Sequence, residues 1–506
     1  MKYIDYIQLN PLERFWYKFK EFFKNLPSAL KAFFCAIGKA IKNFVFGVAA
    51  GIKDFAVGFA QGDIITKLSY LIMGLGNATR GQVIKGIIFF ALEVAYIAFM
   101  VCFGGAYLGQ FFTLEAQTHY ETVTGGRGGA SQKLVYDTYS NQILIYGILA
   151  IMATLAFVAV YIASTKSARR CEQLVKAGKK PETFVNEIKE FLDSKFHITL
   201  LSVPVILICV FVVLPLIFMI LMAFTNYSDK NYFSFQWVGM ANFAEIFSGN
   251  SMGGASMGYT FGNIVLWTLI WAVAATFSNY ILGMVVALMI NKKGIKLKKL
   301  WRTLFVMTIA VPQFVTLLLV AQMIGSSQDS PLNLFISMFT GQPSQFDVLT
   351  QLYDGWIARA AVIIINIWIG IPYTILMTTG ILMNIPEDLY ESARIDGAGP
   401  VKSFTKITLP YMLFVTTPHL ITTFIGNVNN FNVIYLLTGG GPKVNDYKYG
   451  AGKTDLLITL LYKLSVDQQK YGLGAAIGIL VFIVCATLSL ITFNMTKSAK
   501  DEEAFS

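Results

Sequence analysis

Charge is scarce in this sequence, and so are cysteine, histidine and any ordered grouping of the two. Asp, Glu, Lys and Arg make up only 14% of the 506 residues, whereas 55% are hydrophobic. A water-soluble domain of this size would carry far more charge on its surface. The five cysteines, Cys35, Cys102, Cys171, Cys209 and Cys485, are scattered without paired-ligand spacing, which argues against a disulfide framework and a zinc site. His119, His197 and His419 are equally dispersed, and no metal site is expected. H-E-x-x-H, a serine nucleophile elbow and clustered carboxylates are all missing, so the chain is not expected to be an enzyme. Residues 1–26 hold charges where a cleavable signal would place its apolar core. GAGKTD at 450–455 has the look of a phosphate loop, but Tyr447 stands five positions before Gly452, where backbone amides would need a glycine.

Long apolar runs are what the sequence has. A helix needs roughly 20 residues to cross about 30 Å of hydrocarbon. Eight runs qualify, near 84–104, 142–163, 199–223, 262–290, 303–325, 357–383, 411–436 and 473–496, and the reading is an all-α integral membrane protein. Basic residues orient it. Segment 164–198 holds eight Lys or Arg and 291–302 holds six, whereas 224–261 has only Lys230 and 326–356 has none. Positive loops stay in the cytoplasm, so both termini are expected inside. The net charge of +11 is read the same way, and no nucleic acid partner is expected. The organisation expected is an interfacial region over 1–80, three spans over 84–223, a core over 262–496 and a cytoplasmic tail over 497–506.

Ahead of the first span, lysine recurs every eleven residues at Lys20, Lys31, Lys42 and Lys53. Each is followed two residues later by phenylalanine: Phe22, Phe33, Phe44 and Phe55. Eleven residues close nearly three helical turns, so the lysines form one stripe. The pattern predicts an amphipathic helix in the cytoplasmic interface, its lysines toward anionic lipid headgroups, with Pro27 interrupting or restarting it. Packing against the bundle is the alternative. Within the spans, Glu93 and His419 are the ionisable groups that a proton-coupled carrier would exploit, although a lone glutamate more often serves packing.

A polar element, ESARIDGAGPVKSFTKITLP at 391–410, lies between the sixth and seventh runs, on the cytoplasmic side by the charge argument. A short helix is expected over 387–395, started after Pro386 and stopped by Gly397. Glu391, Ala393, Asp396, Gly397, Ala398, Phe404, Ile407, Leu409 and Pro410 resemble the coupling loop of binding-protein-dependent ABC importers. That family's signature runs Glu-Ala-Ala, a glycine, then Ile-x-Leu-Pro, and here Ser392 takes the second place. The resemblance implies a type I importer permease in which this helix docks on an ATP-hydrolysing subunit, with Glu391 and Arg394 supplying charge and Gly397 the turn.

The likeness extends over about 199–496 to the larger permease subunit of maltose/maltodextrin-type importers, through AVPQF, NIWIGIPYTILMTTG and NVNNFNVIYLLTGGGP. It implies sugar contacts from Asn366, Ile369, Gly370 and Tyr373 in the sixth span and Gly426, Asn427 and Asn430 in the seventh. Two contact positions of the fifth span, Tyr and Ser in that family, are Ile309 and Gln313 here, and a Phe position is Gly426. The residues themselves suit the task. Asn366, Gly370 and Tyr373 share a helix face at i, i+4 and i+7. Uncharged amides can both donate to and accept from hydroxyls, although asparagine also serves as interhelical glue.

The resulting expectation is a multi-pass subunit in the bacterial cytoplasmic membrane, importing maltodextrin-like oligosaccharides. Its implied partners are a second permease, two ATPase subunits that use ATP and Mg, and an external sugar-binding protein. No cofactor is expected on this chain itself. An ion-coupled secondary carrier and a non-transporting membrane scaffold are the alternatives; the first leaves the 391–410 element unexplained, and the second leaves the polar faces of spans six and seven without a purpose.

Overall fold

The computed structural model describes residues 51–124, 130–249, 256–292, 294–349 and 355–495, with residues 35, 38, 39, 42, 43, 46, 47, 49 and 50 before them. Lys20, Lys31, Phe22, Phe33 and Phe44 of the eleven-residue repeat, Pro27 and the tail at 497–506 lie outside the described residues. The chain divides into two compact units, Met1–Phe218 and Met219–Ser506. The division falls inside the third apolar run.

Among the described residues six helices are long and apolar enough to cross a membrane: Val83–Gln110, Ser140–Lys176, Phe196–Met222, Met257–Asn291, Trp356–Met383 and Tyr471–Leu490. They are spans one to four, six and eight. The fifth and seventh runs fold as bent pairs. Lys298–Ile309 and Gln313–Met323 meet at 84°, and Pro400–Val428 and Phe431–Thr438 at 41°. The sharper break sits at Pro312, which lacks an amide hydrogen and has extended ψ of 131°. Proline removes the helical hydrogen bond and pushes its predecessor out of the α region. The gentler break falls where Asn430 leaves the helix and caps the next one, its side chain accepting the Val433 amide at 3.2 Å.

In the first unit, residues 49–61 are helical, and short helices Ile64–Leu68 and Leu75–Ala78 precede span one. Asp63 caps the first of these by accepting the Thr66 amide at 2.7 Å. Between spans one and two an antiparallel hairpin, β1 (Thr118–Thr124) and β2 (Ala130–Tyr136), departs from the otherwise helical pattern, with Thr118 opposite Tyr136.

The second unit is built on span four, which packs against the sixth span and the seventh pair. Two glycines let backbones approach. A Cβ on Gly283 would lie 2.5 Å from Thr374, and one on Gly370 would lie 2.6 Å from the Asn279 amide. Small residues at such crossings permit close helix contact in a membrane. Trp267, Trp271, Leu317, Val362, Val433 and Ile434 fill one core. A second joins Ile246, Met257, Ile264, Leu460, Leu464 and Ile477. The hydropathic window of span three has no residue buried within the chain, so its sides are left for lipid or another subunit.

Candidate functional site

Two regions of the second unit gather the residues singled out from the sequence. The first is a cavity of about 370 Å³ between the broken fifth span and span six. Gln313, Ile369 and Tyr373 line it, joined by Thr308, Thr316 and Trp368. The break at Pro312 is what places Gln313 at the start of a new helix, facing span six. Tyr373 is 51% exposed, so the cavity opens outward from the chain. Its lining is mainly apolar with a few convergent hydroxyl and amide groups, the usual make-up of a small-molecule site.

A polar seam where spans four, six and seven meet is the second. Here the face shared by Asn366, Gly370 and Tyr373 divides. Asn366 and Gly370 turn to Asn279 of span four, whereas Tyr373 and Ile369 reach the cavity on the adjoining flank. Asn427 donates to Thr276 Oγ1 at 3.0 Å, and its carbonyl accepts from Trp271 Nε1 at 3.1 Å. Asn430 donates to Asn427 Oδ1 at 3.3 Å. These two asparagines therefore join helices and cap one, as well as being polar groups in a span. Asn366 Nδ2 and Asn279 Oδ1 are buried without a hydrogen-bond partner among the described residues, a donor and an acceptor on facing helices. Buried amides are nearly always paired, so this seam keeps unused polar capacity. Gly426 is exposed with open space around it, and Ile309 ends the helix before the break; neither lines the cavity.

Asn279, Thr276 and Thr308 were not anticipated. The signal for the first two was present, because a polar pair at i and i+3 interrupts a strongly apolar span.

On the cytoplasmic side by the charge argument, the Glu387–Ile395 helix stands out from the span ends. Its C-terminus closes with two reversed hydrogen bonds, Ala398 N–H to Ala393 O at 2.8 Å and Gly397 N–H to Arg394 O at 3.0 Å, with Gly397 at φ +70°. This is the Schellman arrangement, and it demands a residue tolerant of positive φ. Behind it Phe404 and Leu409 pack on Tyr280, Met284 and Met412, and Tyr390 shares a 2.8 Å hydrogen bond with Thr408. Glu391, Arg394 and Asp396 are exposed and form no ion pair among the described residues. Ile395 is 87% exposed, and Val401, also bare, extends the patch. Apolar and charged groups held rigidly in the open mark an interaction surface. Pro410 is exposed as well, while Ile407 is half-buried.

Elsewhere the candidate proton relay has a structural employment. Glu93 accepts the Met73 backbone amide at 2.8 Å. His419 is exposed and lies 3.3 Å from Thr423 Oγ1 on its own helix.

Residues 279–498, which include the cavity, most of the seam and the exposed helix, match the family model described as binding-protein-dependent transport system inner membrane component. The galactooligosaccharides permease GanP of Bacillus subtilis is 33% identical over 87% of this chain and 99% of its own length. The maltodextrin permease MdxF of the same organism is also 33% identical, over 86% and 95%. MalF of Vibrio parahaemolyticus, a maltose/maltodextrin permease, is 34% identical over 48% of this chain. A bacterial alginate ABC transporter, solved with its alginate-bound periplasmic protein, aligns at TM-score 0.49 and 22% identity over 62% of this chain and 98% of that one. The chain belongs to the binding-protein-dependent ABC importer permeases, as a multi-pass subunit of the cytoplasmic membrane with the family's all-helical type I permease fold.

Proposed function

We propose that this chain forms half of the path for an oligosaccharide of the maltodextrin class and transmits ATP-driven motion to it from separate ATPase subunits. Gln313, Ile369 and Tyr373 would meet the sugar first. Asn366, Asn427 and Asn430, with Gly370, Gly426 and Ile309 around them, would complete the contact as helices shift during the cycle. Tyr373 can lie on an apolar sugar face, and Gln313 can donate to one hydroxyl while accepting from another. The outward opening at Tyr373 fits a path closed on its far side by a second permease. Ligand would arrive from an external binding protein. ATP and Mg would be used by the partner ATPases, and hydrolysis would reach the spans through the Glu387–Ile395 helix.

The observation that carries this reading is the exposed helix, with Glu391 and Arg394 forming no ion pair among the described residues, beside bare Ile395 and backed by a rigid turn. Its test is gentle purification of the tagged chain from its own membrane. A second permease and an ATPase subunit are expected to come with it. Glu391→Lys should keep the second permease, lose the ATPase and reduce sugar uptake about ten- to a hundredfold, the range for a broken charged contact. A chain recovered alone that still imports sugar into vesicles without ATP would make it a secondary carrier.

A further inference from the structure

A cavity of about 870 Å³ in the first unit lies between the 49–61 helix and the C-terminal turns of span two. That helix runs for 37 residues, Ser140–Lys176, or roughly 55 Å at 1.5 Å per residue, well beyond the hydrocarbon thickness. Its end therefore projects into the cytoplasmic headgroups. One stripe of span two lines the cavity, and its chemistry changes along its length. Val158 and Ile162 come first, then Lys166 and Arg169, at spacings that keep them on one face. Opposite stand Ile52 and Phe55 of the amphipathic helix.

A chain of hydrogen bonds fixes the walls. Tyr161 donates to Tyr70 O at 2.7 Å, and the Tyr70 hydroxyl donates to Phe55 O at 3.3 Å. Tyrosines at this level match the aromatic belt of a membrane interface.

The cations here are available, in contrast to their neighbours. Arg80 is taken by Asp63 at 2.6 Å and Lys176 by Glu172 at 2.5 Å. Lys166 and Arg169 form no ion pair among the described residues. Arg169 donates to the Asp54 carbonyl at 3.3 Å. Among the described residues of the lining, Asp54 supplies the one carboxylate against two cations. A basic mouth over an apolar slot, at the cytoplasmic boundary, is complementary to a lipid phosphate above acyl chains.

We propose that this cavity binds one anionic phospholipid of the cytoplasmic leaflet, its phosphate on Lys166 and Arg169 and its acyl chains along Val158, Ile162 and Phe55. The lipid then holds the amphipathic helix against span two. The site is independent of the transported substrate.

The test uses the full chain in detergent, with its importer partners where they co-purify, and native mass spectrometry of retained phosphatidylglycerol against phosphatidylcholine. Wild type is expected to keep phosphatidylglycerol selectively. Lys166→Gln with Arg169→Gln should lower that selectivity about tenfold or more, whereas Lys179→Gln with Lys180→Gln, in the same basic loop, should leave it unchanged. Equal retention in all three proteins, or equal loss in both variants, would overturn the site. So would displacement of the lipid by millimolar inorganic phosphate, which would make it a free-anion pocket. A photoreactive phosphatidylglycerol needs no variant, and its crosslinks are expected on the stretch 158–169. Crosslinks spread evenly over the spans would refute a discrete site.

Discussion

Asp455 is fully buried, and its partner Lys463 nearly so, at 2.7 Å. The carboxylate also accepts the Gly452 amide at 2.7 Å and the Thr459 hydroxyl at 2.8 Å. Gly440, at φ +86°, passes so close that a Cβ would fall 2.0 Å from Asp455 Oδ1. Burial pushes the Asp455 pKa above the usual carboxylate range, while Lys463 and the hydrogen bonds pull it back. Such a pair adds little net stability over an apolar substitute, but removing one partner strands a buried charge. Lys463→Met is therefore expected to cost about 3–5 kcal/mol. Adding Asp455→Asn should recover most of that, because the amide oxygen can still accept from Gly452 while the amide nitrogen donates to the Thr459 hydroxyl. Melting temperatures in detergent decide it, and a double variant no more stable than the single one would refute a charge-based cost. The sequence marked GAGKTD only as a failed phosphate loop. Nothing local discloses that its aspartate pairs with a lysine eight residues on, since the pairing depends on how the 439–455 loop folds over the next helix. By contrast, Gly397 was readable, because a positive-φ stop after a short polar helix is a purely local requirement.

At the scale of elements, the segment 63–82 is held by polar contacts from a distance. Arg80 donates to both oxygens of Asp63, at 2.6 and 2.8 Å, and to Thr66 Oγ1 at 2.7 Å. Ser69 Oγ accepts the Gly76 amide at 2.7 Å, and Asn77 donates to Ser167 of span two at 2.8 Å. Burial alone would raise the Asp63 pKa, but Arg80 and Thr66 outweigh it and bring it down to about 2. The sign follows. A carboxylate with a depressed folded pKa contributes stability that is complete above about 4 and disappears as pH falls toward 2. The first unit should lose melting temperature between pH 4 and pH 2, and Asp63→Asn should flatten that loss while lowering the value at pH 7. A pH dependence unchanged by the substitution would mean that other carboxylates dominate. This segment escaped the sequence reading because helices of four and five residues have too few turns to show periodicity, and their stability is tertiary. The break of the fifth span was legible in principle, since Pro312 sits mid-run. The length criterion counted the run as one crossing because hydropathy is blind to an 84° bend. The β1–β2 hairpin was hidden for another reason: its strands are largely polar on both faces and give little alternation to detect.

The whole molecule separates two tasks along the second unit. Spans four to seven hold the cavity and the asparagine seam, and the Glu387–Ile395 helix holds the exposed charged and apolar patch proposed to dock the ATPase, joined to them through Phe404 and Leu409 on Met284 and Met412. If that division is functional, variants should sort by which kinetic quantity they change. Gln313→Ala removes one neutral hydrogen-bonding group from the cavity without touching the joint. Losing such a contact costs about 0.5–1.5 kcal/mol, so the apparent KM for sugar uptake should rise roughly two- to tenfold. ATP hydrolysis at saturating sugar should remain stimulated by the loaded binding protein. Leu409→Ala should do the reverse, because it loosens the packing that carries the helix's movement: KM near wild type, with sugar delivered per ATP reduced. The assay is uptake and hydrolysis measured together in proteoliposomes of the complete importer. Should Gln313→Ala reduce coupling and leave KM unchanged, the cavity would belong to the moving joint, and the sugar path would have to run along the Asn366 and Asn427 seam instead.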